Sequence, residues 1–243
     1  MTPAGPEVLG LVVAGMAVFV GSVLQGAVGF GLALVAAPVL FMIDPRLVPG
    51  PLTFAALALI LLTAWRDRQA VDFRGFGWGL FGRLPGTVLG AAILAVLPPE
   101  RLAVPLGVLV LLAVGISASG VHLTPSPRTL FGAGFLSGFM GTTSSIGGPP
   151  LAMVYQHAPG RQMRGTLSSY FLVGSLMSLF AIGAVGRFGA AEFGWGLALV
   201  PGAVAGFALS NRITPWIDRG YTRPAVLFVS AFAGIGILLR QLW

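Results

Sequence analysis

Apolar runs long enough to cross a bilayer follow one another along almost the whole chain, and this constrains the fold more than any motif does. A crossing helix needs about 20 apolar residues. Uninterrupted runs of that kind occupy 48–64, 76–97, 102–118, 165–185, 190–209 and 225–242. Only 9% of the residues are charged, where a soluble domain carries about 25%. Such a chain cannot cover its own surface against water, so lipid is its solvent. The reading is an all-α, multi-pass integral membrane protein.

Two further apolar stretches, 8–43 and 130–156, differ in kind because glycine and proline interrupt them. The first is broken at Gln25-Gly-Ala-Val-Gly-Phe-Gly31 and the second at Gly141-Thr-Thr-Ser-Ser-Ile-Gly-Gly-Pro-Pro150. Glycine weakens a helix by about 1 kcal/mol and proline by about 3, so each stretch is expected to break. The chain also repeats itself. Pro85-Gly86-x-x-x-Gly90 returns as Pro201-Gly202-x-x-x-Gly206, and the breaks recur at nearly the same shift. Residues 1–118 read as a first repeat, 119–128 as a connecting loop and 129–243 as a second. Each repeat holds one glycine-broken element and three transmembrane helices, the build of many secondary transporters.

The arginines test the topology, with Arg83 set aside because it falls inside a run. If each broken stretch crosses once, six arginines face seven across the membrane. If each dips in and returns, nine (66, 68, 74, 128, 161, 164, 212, 219 and 223) face four (46, 101, 187 and 240). The second, re-entrant layout gives the charge asymmetry expected of a cytoplasmic face and makes the two repeats inverted. All 14 basic residues are arginine, scattered singly in short loops, which argues against a nucleic-acid surface. The first run lacks a basic leader and an A-x-A site, so it reads as a membrane element rather than a cleaved signal.

Broken helices expose backbone groups that lipid cannot satisfy, so they belong in protein or along a wet cavity. A helix N-terminus carries partial positive charge and free N–H donors, which suits an anion. Gln25, Gly26, Gly29 and Gly31 at the first break, with Thr142, Thr143, Ser144, Ser145, Gly147 and Gly148 at the second, are therefore the expected substrate contacts. Close packing of small residues is the competing explanation. Arg83 is a candidate because an intramembrane charge is expensive, although snorkelling to the interface would also account for it. Ser169 and Tyr170 could line the same cavity. The one Asp or Glu in the predicted spans is Glu192, at the third position of 190–209, which disfavours a carboxylate proton relay or sodium site deep in the membrane. Cysteine is absent, and His122 and His157 lack neighbours at ligand spacing, so no metal and no cofactor is expected.

These residues carry a resemblance. Gln25-Gly-x-x-Gly-Phe-Gly31 running to Pro38-Val-Leu40, then Gly134-Phe-Leu-Ser-Gly-Phe-Met-Gly141, Gly147-Gly-Pro-Pro-Leu151 and Arg164-Gly-Thr-Leu167, together resemble the TauE/SafE family. This is the sulfite-exporter or toluene-sulfonate-uptake permease group. Both copies depart from the Gly-Gly-Gly run that many members carry, the first with Gly29-Phe-Gly31 and the second with Thr-Thr-Ser-Ser before its glycines. The resemblance implies an inner (plasma) membrane permease for small organic or sulfur-containing anions, such as sulfite, sulfoacetate or other sulfonates. The partners expected are that anion and the lipid bilayer, with no nucleic acid; a homodimer is compatible with so small a permease. An anion channel is the alternative. An intramembrane enzyme is disfavoured because the spans hold no His, Lys or Cys, and no Asp or Glu beyond Glu192 near the start of 190–209, to activate a serine.

Overall fold

The computed structural model describes residues 7–118 and 123–217, which form nine α-helices with no strand among the described residues. In order they are α1 (Val8–Val28), α2 (Leu32–Ile43), α3 (Gly50–Asp67), α4 (Phe76–Val96), α5 (Ala103–Ala118), α6 (Pro127–Ser144), α7 (Gly148–Tyr155), α8 (Gly160–Ala184) and α9 (Ala190–Ile217). Five of them, α1, α3, α4, α8 and α9, are long and apolar enough to cross a membrane. The run expected at 225–242, His122 and Arg219, Arg223 and Arg240 lie outside the described residues.

Both interruptions break the helix where glycine or a left-handed residue allows a sharp turn. In the first, Gly29 and Gly31 have φ of 106° and 123°, a region that costs glycine nothing. α2 then folds back along α1, with Gly21 against Leu32 and Gly10 against Ile43. α1 has 21 residues, roughly 31 Å at 1.5 Å per residue, so this element is a full-length helix with a shorter returning arm. The second break is narrower than the sequence suggests. α6 runs through Thr142, Thr143 and Ser144 and stops at Ser145, whose φ is 64°. Thr143 and Ser144 stay helical because their hydroxyls donate to Phe139 O and Met140 O one turn back, at 2.8 and 2.7 Å.

Glycine notches set how the helices run beside each other. A Cβ on Gly82 or Gly86 of α4 would come within 2.1 Å of Phe131 O or Phe135 O on α6, so these backbones touch. The paired numbers rise together, hence α4 and α6 are parallel. α9 meets α1 in the same way, Gly202 against Gly15 and Gly206 against Phe19. The conserved direction of these contacts places the start of α1 at the end holding Ile43, Gly50 and Arg187. The start of α6 lies at the opposite end, with Gly75, Asp67 and Arg164. Large apolar side chains such as Leu9, Met16, Phe81 and Phe180 point outward, a surface suited to lipid.

Several helices outrun the expected spans. α3 continues to Asp67, so a buried carboxylate does lie in a membrane-crossing helix, contrary to the sequence expectation. It is tolerated because Arg66 Nη2 pairs with it at 2.8 Å, and Arg164 and Arg161 approach it at 3.7 Å. The same arginines serve the end of α1. Arg66 donates to Gly26 O at 2.8 Å and Arg164 to Ala27 O at 3.0 Å, satisfying carbonyls that a helix C-terminus leaves open.

Candidate functional site

The two breaks wall one cavity at the centre of the helices. Gln25, Gly31, Leu32, Ala33 and Leu34 line it from the first break, and Ser145, Ile146, Gly147, Gly148 and Pro149 from the second. α3 adds Thr53, Ala56 and Ile60, α4 adds Arg83, and α8 adds Phe171, Ser175 and Ser178. Its volume is about 50 Å³. A water centre needs about 10–15 Å³ on this measure, so the space fits a few waters or one small anion.

Arg83 is the chemical centre of this wall. It is 3% exposed and turned inward, so snorkelling does not explain it. Its Nη1 donates to Ser137 Oγ at 2.8 Å and its Nη2 to Ser178 Oγ at 3.2 Å. The Tyr170 ring lies 5.5 Å from the guanidinium carbon. Its Nε has no hydrogen-bond partner, and none of the ion pairs among the described residues includes it. Glycines make the sleeve. A Cβ on Gly174 would sit 2.2 Å from Nε, and one on Gly141 would sit 3.1 Å from Nη2. A buried cation without a carboxylate is costly, and the fold holds this one beside an open space.

Each break presents the cavity differently. Gln25 Oε1 accepts from Leu32 N–H at 3.1 Å, so this side chain stitches the first break and caps α2. At the second break the Ser145 hydroxyl donates to Pro49 O at 3.0 Å and lies 2.8 Å from Thr53 Oγ1. These bonds hold a non-glycine residue in the left-handed region, a strain that usually needs such support. The expectation of two equal helix N-termini needs correction. α7 starts Gly148-Pro-Pro, and proline has no N–H, so this terminus offers far fewer donors than α2.

Of the residues singled out from sequence, Gln25, Gly31, Arg83, Ser145, Gly147 and Gly148 line the cavity. The remaining seven do not. Gly26 faces Ser210 on α9, where a Cβ would collide, and Gly29 faces Arg164 with its φ of 106°. Thr142 is bonded to Ser178 at 2.9 Å, and the Thr143 and Ser144 hydroxyls are spent on their own helix. Tyr170 supports Arg83 from behind and donates to Gly79 O at 2.9 Å; Ser169 is half-buried outside the lining. Sequence reasoning missed Thr53, Ser137, Gly174, Ser175 and Ser178. Their only signal was polarity or smallness in apolar helices, which membrane packing also uses. Among the described residues no group of three or more His, Cys, Asp or Glu could hold a metal.

The family model of the sulfite exporter TauE/SafE matches residues 13–237. The chain belongs to that family. No curated protein and no solved structure matches it. As a TauE/SafE protein it is a multi-pass membrane transporter of the sulfite-exporter type, for which the family description gives export as the direction.

Proposed function

We propose that this TauE/SafE protein exports a small sulfur-containing oxyanion across the inner membrane, holding it in the cavity between the two breaks. The observation that carries this reading is Arg83, buried beside the cavity without a carboxylate partner. Around it, the hydroxyls of Ser175 and Ser178 and the N–H groups that follow Leu32 at the start of α2 are neutral donors suited to oxyanion oxygens. The small volume favours sulfite and the shortest sulfonates over bulkier ones.

The two halves are proposed to be inverted repeats. α1 and α6 run in opposite directions, and each is followed by a returning arm and a helix that lines the cavity. In that arrangement the cavity lies where the repeats meet, and rocking one half against the other would open it to each side in turn.

The test is efflux of radiolabelled sulfite from proteoliposomes, comparing wild type with Arg83→Gln. The variant keeps a polar, hydrogen-bonding end on a shorter side chain and removes the charge. Saturable efflux that falls at least about 100-fold in a variant with native elution and melting supports the site, since losing a charge partner in a dry cavity costs about 3 kcal/mol or more. Undiminished, saturable efflux by Arg83→Gln would reject the site.

A further inference from the structure

We infer that the cavity takes its cargo as a monoanion, so that an oxyacid able to lose two protons crosses in its singly charged form. This rests on the anion site proposed above and adds its charge state.

Charge counting carries the argument. Among the described residues, Arg83 is the one charged side chain lining the cavity. The other arginines near the core are held away from the cavity: Arg66, Arg161 and Arg164 share the single carboxylate of Asp67, and Arg46 pairs with Asp44 at 2.7 Å. None of these lines the cavity. The rest of its polar lining is neutral, comprising four hydroxyls, the Gln25 amide and backbone N–H groups.

One negative charge therefore makes the loaded cavity neutral. A dianion would leave one charge uncompensated beside a buried guanidinium, where screening is weaker than in bulk water and desolvation is costly. The wall cannot correct that. No carboxylate among the described lining residues could bind a compensating cation. Among the described residues, the titratable side chain packed against the guanidinium is Tyr170, on α8, and its hydroxyl is committed to Gly79 O. From α6 the guanidinium meets Ser137 and Gly141, neither of which titrates. The second charge has to be cancelled by a proton that the cargo itself carries.

The experiment uses wild-type protein in proteoliposomes loaded with radiolabelled sulfite, with pH equal inside and out. Methanesulfonate and sulfate serve as competitors, the first a monoanion and the second a dianion across mildly acidic to mildly alkaline pH. Methanesulfonate is expected to compete equally at both ends of that range. Sulfate should compete at least about 100-fold more weakly, the scale set by one uncompensated buried charge. Sulfite efflux at fixed total concentration should fall as pH rises, in step with the hydrogensulfite fraction. Sulfate competing as well as methanesulfonate, or sulfite efflux that stays level while hydrogensulfite disappears, overturns the monoanion assignment and leaves the anion site standing. If no anion moves or competes, sulfite included, the site reading falls and the charge assignment falls with it.

Discussion

Gly174 shows how much a missing side chain can matter at the residue scale. Its absent Cβ leaves the space that Arg83 Nε occupies, 2.2 Å from where that carbon would be. The Arg83 end is flexible, so Gly174→Ala should fold and push the guanidinium off Ser137 and Ser178. The expected result is a rise in the half-saturating sulfite concentration of about tenfold, equivalent to about 1.4 kcal/mol, with the melting temperature nearly unchanged. An unchanged half-saturating concentration would mean that the guanidinium position does not set affinity. Arg83 itself stood out in the sequence because a charge within an apolar run has few explanations. Gly174 did not, because glycine is abundant in membrane helices for packing reasons alone.

Between helices, contact is governed by backbone approach rather than by interlocking large side chains. Gly82 and Gly86 press α4 onto carbonyls of α6, and Gly202 and Gly206 do the same for α9 on α1. A backbone oxygen cannot rotate away as a side chain can. Gly86→Ala is therefore expected to cost about 1–3 kcal/mol by overpacking, seen as a lower melting temperature in detergent. Gly77→Ala, on the same helix with nothing within 4 Å of the new carbon, is the control and should be neutral or slightly stabilising. Equal melting of the two variants would show that the close approach is absent. The Pro-Gly-x-x-x-Gly pairs read from sequence thus mark helix seams. The breaks were equally visible as glycine and proline clusters, yet their edges were not. Thr142, Thr143 and Ser144 looked like loop and proved helical: Thr143 and Ser144 bond carbonyls one turn back in their own helix, and Thr142 meets Ser178, a partner that only the folded geometry supplies.

Across the whole molecule, the returning arms decide which arginines share a side. Arg66, Arg74, Arg128, Arg161, Arg164 and Arg212 sit at the ends of helices that meet at one pole, whereas Arg46, Arg101 and Arg187 sit at the other. The cysteine-free sequence makes this directly measurable. Single Arg128→Cys and Arg187→Cys variants in intact cells should react with an impermeant maleimide from opposite sides, with only Arg187→Cys labelled from outside. Labelling of both from one side would sink the returning-arm topology and the inverted repeats proposed with it.

The sequence alone determined the solvent, the helical class, the two breaks and the family resemblance. All four follow from composition and local backbone preference, which need no knowledge of what lies across the bilayer. It also exposed Arg83, because an isolated charge in lipid is conspicuous whatever surrounds it. Only the tertiary structure decided that Arg83 turns inward, that both breaks share one small cavity, and that Asp67 is buried among three arginines. It also separated hydroxyls that face the cavity, such as Ser145 and Ser178, from those spent on their own helices. In a chain where lipid-facing, helix-facing and cavity-facing positions are all small or apolar, side-chain type does not encode direction. Direction follows from which helices touch, and that is fixed by glycine-to-carbonyl approaches between segments far apart in the chain.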